Sequence, residues 1–177
     1  MEKIIAIMKN YFEHPETTFH IREIARLSKM SHTAARIYHR RLEQDGYLTI
    51  RPSKPYPTYR ANTSSRKYLN LKLFYNLEKL ANSGIIEILE KHFDYPNITV
   101  FGSFAKAMDN DKSDIDIFIL SEIDSTPEIE ACEKKLNRNI SLHLYNKKQW
   151  KITKAKNPGL VNSICNGFVL SGELEVL

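Results

Sequence analysis

Residues Val100 to Leu120 read VFGSFAKAMDNDKSDIDIFIL, and the fold of the second half of the chain turns on them. An apolar run from Ile98 to Phe101 ends at Gly102-Ser103 and is followed by helix-forming Phe104-Ala105-Lys106-Ala107, so a strand should feed a helix N-terminus here. Backbone N–H groups point outward at such a place and favour anions. Glycine lets a phosphate approach the main chain, and Ser103 offers it a hydroxyl. Farther on, Asp114 and Asp116 alternate with Ile115 and Ile117, so in a strand both carboxylates project from one face, about 7 Å apart. Like charges so placed repel unless a cation lies between them. A hard divalent ion that binds carboxylate and phosphate oxygens together is the usual solution. The carboxylates would then hold metal and triphosphate at the rim of an apolar core.

Gly102-Ser103, ten intervening residues and Asp114-x-Asp116 together resemble the minimal nucleotidyltransferases of the DNA polymerase β superfamily. The resemblance covers residues 83–177. It implies transfer of a nucleoside monophosphate from a nucleoside triphosphate to a hydroxyl, with Gly102 and Ser103 on the triphosphate and Asp114 and Asp116 on Mg²⁺, or alternatively Mn²⁺. Ser103, Asp114 and Asp116 are then the expected catalytic residues, acting by positioning and by metal stabilisation of an in-line displacement.

Two features depart from that pattern. Active members bring a third carboxylate from a later strand, and the matching strand here, Ile140 to Tyr145, presents Ser141 and His143. No Asp or Glu lies between Glu133 and Glu173. Ala107 and Met108 stand where the family often has a glycine. An aspartate pair alone can hold one metal with the triphosphate, so binding could survive where turnover does not. Beyond Tyr145, a basic helix from Lys147 to Lys156 carries Trp150, expected in the core. A helix through Val161 and Ile164 and a last strand, Phe168 to Leu170, follow.

Upstream, a helical pattern runs through Leu69, Leu73, Leu77 and Leu80. Ser83-Gly84 interrupts it, a helix carries Ile85, Ile86, Leu89 and Phe93, and Pro96-Asn97 turns into the strand.

In the first third, Ile4, Ile5, Met8, Tyr11 and Phe12 fit one helical face bounded by Pro15, and Ile21, Ile24 and Ala25 mark a second short helix. Ser31 is a good N-cap for a third, with Ala35, Tyr38 and Leu42 inward and Asp45-Gly46 at its end. Its outward positions, including His32, Thr33, Arg36, Arg40 and Arg41, are basic or polar, with His32 and His39 alternatively read as ordinary surface residues. Tyr47 to Arg51 alternates as a strand, Pro52-Ser53-Lys54-Pro55 turns, and Tyr56 to Ala61 returns. Residues 1–62 thus resemble a winged helix-turn-helix. That implies duplex DNA bound through the helix from Ser31, with Lys54, Tyr56 and Arg60 of the wing near the phosphate backbone. The alternative is a protein-interaction module of the same fold.

Charge agrees with the DNA reading. Through Asn62 there are 11 Lys/Arg against 6 Asp/Glu, and the remainder has 15 of each. All the excess positive charge lies in the first third. No apolar run is long enough to span a bilayer and the first residues lack a signal peptide's pattern, so a cytoplasmic protein without membrane attachment is expected. Cys132 and Cys165 cannot form a disulfide framework and are expected as buried, reduced thiols.

The expected architecture is α+β: a winged helix-turn-helix over 1–62, a helical connector over 63–82 and a small mixed-sheet nucleotidyltransferase-like domain over 83–177. The leading functional expectation is a DNA-binding transcriptional regulator whose second domain binds Mg²⁺ and a nucleoside triphosphate. The alternative is an active nucleotidyltransferase modifying a small molecule or a protein acceptor, as antitoxins of this type do. A third is a DNA-binding protein whose second domain only dimerises. A homodimer is plausible because winged helices often bind palindromes as dimers.

Overall fold

The computed structural model describes residues 2–174 and divides into two compact units between Tyr75 and Asn76. In the first, α1 (Glu2–Glu13), α2 (Ile21–Leu27) and α3 (His32–Gln44) precede a hairpin of β1 (Leu48–Arg51) and β2 (Thr58–Ala61). Ser31 caps α3, its hydroxyl accepting from the Ala34 N–H at 3.2 Å. Gly46, at φ +83°, ends the helix in the left-handed conformation that suits glycine. The hairpin pairs Leu48 with Ala61 and Arg51 with Thr58. Phe19 forms a bridge to Tyr59 on the other side of β2.

The core of this unit gathers Ile7, Met8, Tyr11 and Phe12 of α1 with Ile24, Leu42, Leu48, Tyr59 and Tyr68. His39 is fully buried among them, which corrects its reading as a surface residue. Its Nδ1 lies 2.7 Å from the Ala35 carbonyl and its Nε2 2.9 Å from the Tyr11 hydroxyl. A carbonyl only accepts, so Nδ1 carries the proton and Nε2 accepts from Tyr11. Tyr38, expected inward, is only partly buried. The helix is phased so that Ala35, His39 and Leu42 form the buried stripe.

Helix α4 (Arg66–Ala81) begins in the first unit and ends in the second. The second unit continues with α5 (Ile85–His92), β3 (Asn97–Phe101), α6 (Gly102–Ala105), β4 (Ile115–Leu120), α7 (Glu130–Leu136), β5 (Ile140–Tyr145), α8 (Lys147–Lys156), α9 (Pro158–Cys165) and β6 (Phe168–Ser171). The sheet order is β5-β4-β3-β6, with β4 parallel to β5 and the other pairs antiparallel. A mixed sheet with helices on both faces needs apolar residues at both parities of its inner strands. One face buries Ile98, Val100, Ile115, Ile117 and Ile119 with Leu80, Ile85, Leu89 and Leu136. The other buries Phe101 and Phe118 with Trp150 and Ile164, so Trp150 is a core residue as expected.

Two expectations are corrected in this unit. Cys132 is buried, but Cys165 at the end of α9 is exposed. The strand does feed a helix at Gly-Ser, but that helix is a single turn that stops before Lys106 and Ala107, the latter at φ +56°. No described helix is long and apolar enough to cross a membrane.

Candidate functional site

Alternation along β4 places Asp116 and Phe118 on one face and the isoleucines on the other. Asp116 pairs across the ladder with Phe101, the last residue of β3, and in the parallel direction with Ser141. It therefore meets the Gly102 turn directly. Gly102 has φ +74°, and a Cβ built on it would stand 2.5 Å from Oδ2 of Asp116. A Cβ here would push that carboxylate oxygen from its present position. Ser103 follows, partly exposed, and Asp114 is exposed one residue before β4.

The other oxygen of Asp116, Oδ1, lies 3.1 Å from Nε2 of His143, whose ring packs edge-on against Phe101 at 5.0 Å. Ser141 and His143 stand on β5 as its alternation predicted. Gly102, Asp116 and His143 are thus brought together, with Ser103 and Asp114 adjoining them in the chain. An open groove of about 630 Å³ begins beside Asp114, lined by residues of both charge signs, among them Lys112, Glu133, Lys134 and Arg138.

The donor set suits a hard cation shared with phosphate. Asp114 and Asp116 supply oxygens, and the absent Cβ at Gly102 keeps one of them uncovered. Among the described residues, no group of three His, Cys, Asp or Glu side chains is arranged to hold a metal ion by itself. A cation there would need oxygens from its ligand.

In the first unit, His32, Thr33, Arg36, Arg40 and Arg41 are exposed on α3, and the exposed Ser31 caps it. Thr33, Arg36, Ile37 and Arg40 follow helical spacing along one solvent face. Ile37, 63% exposed, was not anticipated, although its spacing from Thr33 and Arg40 puts it in that stripe. Arg41 forms an exposed 3.7 Å ion pair with Asp45. Lys54 and Tyr56 are exposed in the hairpin loop, and the guanidinium of Arg22 lies 5.8 Å from the centre of the Tyr56 ring. Arg60 differs from the rest: it is partly buried, ion-paired with Glu16, and its Nε donates to the Pro15 carbonyl at 3.5 Å.

Residues 83–167 match the family model described as Polymerase beta, Nucleotidyltransferase. A nucleotidyltransferase-family domain therefore occupies that part of the chain. No curated protein and no solved structure matches the chain.

Proposed function

We propose that this protein is a DNA-binding regulator whose second unit binds a nucleoside triphosphate with Mg²⁺. The observation that carries the nucleotide half is the fit of Gly102 over Asp116: a turn without a side chain lies against a strand carboxylate in a domain of nucleotidyltransferase family. In this reading Gly102 and Ser103 receive the triphosphate through main-chain N–H groups and the Ser103 hydroxyl. Asp114 and Asp116 hold the metal, and His143 fixes the Asp116 carboxylate from the side opposite Gly102. A bound Mg²⁺ would supply charge neutralisation to the phosphates.

Support for the DNA half comes from the fold and charge of the first unit. Three helices, a β-hairpin and the Phe19–Tyr59 bridge support a winged-helix reading, and α3 turns Thr33, Arg36, Ile37 and Arg40 to solvent. Cations suit phosphates, a threonine hydroxyl suits base edges, and an apolar side chain suits a thymine methyl. Dimeric binding to a palindrome belongs to the same proposal.

Binding rather than turnover is favoured because the strand beside Asp116 offers Ser141 and His143 instead of a carboxylate. One observation favours the second reading, an active nucleotidyltransferase acting on a small-molecule or protein hydroxyl. The groove beginning at Asp114 has room for an acceptor.

Thermal unfolding with each of the four nucleoside triphosphates, with and without Mg²⁺, tests the proposal. A ligand at 100 times its dissociation constant stabilises by about 2.7 kcal/mol. A Mg²⁺-dependent shift that Asp114→Ala/Asp116→Ala abolishes is expected; no shift with any nucleotide sinks the nucleotide half. Pyrophosphate release by wild type but not Asp116→Ala would select the enzyme.

A further inference from the structure

The segment joining the Gly-Ser turn to β4 is tied at both ends by three buried polar side chains that the sequence does not advertise. Asn76 of α4, 2% exposed, donates through Nδ2 to the Phe104 carbonyl at 3.0 Å and to Oδ1 of Asp109 at 2.8 Å. Asp109 is 1% exposed, and its Oδ2 accepts from Nη2 of Arg138 at 3.4 Å. The Arg138 side chain is 6% exposed, and its Nη1 donates to the Ser113 carbonyl at 3.1 Å. A continuous path of polar contacts therefore runs from the residue after Ser103 to the residue before Asp114.

A buried ion pair is a costly way to hold a loop. Apolar replacement of such pairs is often neutral or stabilising, so stability alone does not account for one. What apolar side chains cannot do is fix two backbone carbonyls at set positions. The planar arginine fork reaches a carboxylate and a carbonyl at once, and a lysine ammonium does not reproduce that fork. We infer that Asn76, Asp109 and Arg138 are positioning residues, a clamp that sets the spacing between the Gly102-Ser103 turn and Asp114-x-Asp116 so that both engage one metal-bound triphosphate. The inference rests on the nucleotide reading proposed above. Gly102 and Asp116 are neighbours through the β3–β4 ladder, whereas Ser103 and Asp114 lie outside it, so their spacing depends on the loop that the clamp ties.

The test uses the full chain as wild type, Arg138→Lys, Asn76→Ser and the site control Asp116→Asn. Three quantities are read: the urea midpoint, amide hydrogen exchange over residues 103–116, and the affinity for tripolyphosphate with Mg²⁺. Arg138→Lys keeps a cation for Asp109, so its midpoint should stay close to wild type. Exchange over 103–116 should quicken about tenfold and affinity should fall about tenfold, with Asn76→Ser doing the same should Arg138→Lys not fold. Unchanged exchange and affinity in a folded variant would overturn the clamp. If wild type binds tripolyphosphate no better than Asp116→Asn, the nucleotide reading fails separately. Exchange then decides the clamp by itself: faster exchange supports it and unchanged exchange overturns it.

Discussion

A side chain on Gly102 would bring its first carbon to 2.5 Å from Oδ2 of Asp116, so any other residue at 102 must turn that carboxylate out of its present place. Gly102→Ala adds that clash to a left-handed backbone that costs an L-residue about 1–2 kcal/mol. We expect loss of stability of that order in urea unfolding and at least a tenfold loss of Mg²⁺-triphosphate affinity. Wild-type affinity in the variant would refute the fit as the reason for this glycine.

On α3, Arg36→Ala and Arg40→Ala should each weaken duplex DNA binding and lower the slope of log affinity against log salt by about 1. Arg60→Ala should change that slope less, because its guanidinium is already paired with Glu16. Titration of a labelled duplex at several salt concentrations compares the three. Equal effects would place Arg60 on DNA as well.

Burial holds the His39 imidazole below its ordinary range. The unfolded chain, with a histidine near 6.5, therefore takes up a proton before the folded chain does. The contribution of neutral His39 is complete above about pH 6.5 and is lost as pH falls below it. Urea unfolding from pH 7.5 to 5 should show a steeper acid loss in wild type than in His39→Gln. Tyr11→Phe removes the donor to a buried nitrogen and should cost about 1–3 kcal/mol at neutral pH. Parallel pH profiles for wild type and His39→Gln would remove His39 as the cause.

Ala107 is buried at φ +56°, a conformation that penalises its Cβ. Ala107→Gly relieves that strain and gives back part of the gain through the looser unfolded chain. A net stabilisation of roughly 0.5–1 kcal/mol is expected, seen as a higher urea midpoint. A lower midpoint would mean that the methyl group's packing outweighs the backbone strain.

Much of the second unit was legible because its inner strands carry an apolar residue at nearly every position and are bounded by turn residues. Ile98–Phe101, Asp114–Leu120 and Ile140–Tyr145 fall within a residue of the observed strands, although β4 starts at Ile115 and leaves Asp114 just outside it. Helix α7 carries little helical signal, since its seven residues contain only Ala131, Cys132 and Leu136 as apolar positions. The burial of His39 was hidden by phase: Ala35, Tyr38 and Leu42 fit a helical stripe nearly as well as Ala35, His39 and Leu42, and hydrophobicity chose the tyrosine. Tyr11, 28 residues away, supplies the hydroxyl that makes the histidine the better core residue. Asp109 and Arg138 look like solvated loop charges for the same reason, each having a partner far off in the chain. The pair Gly102 and Asp116 could be found because both residue types recur at a family spacing.

Helix α4 gives Tyr68 to the core of the first unit, and Asn76 and Leu80 to the interior of the second. A crossover between genes at residue 62 would strip the first unit of Tyr68. One at residue 83 would strip the second of Asn76 and Leu80. Each unit therefore keeps its interior only together with its own half of this helix.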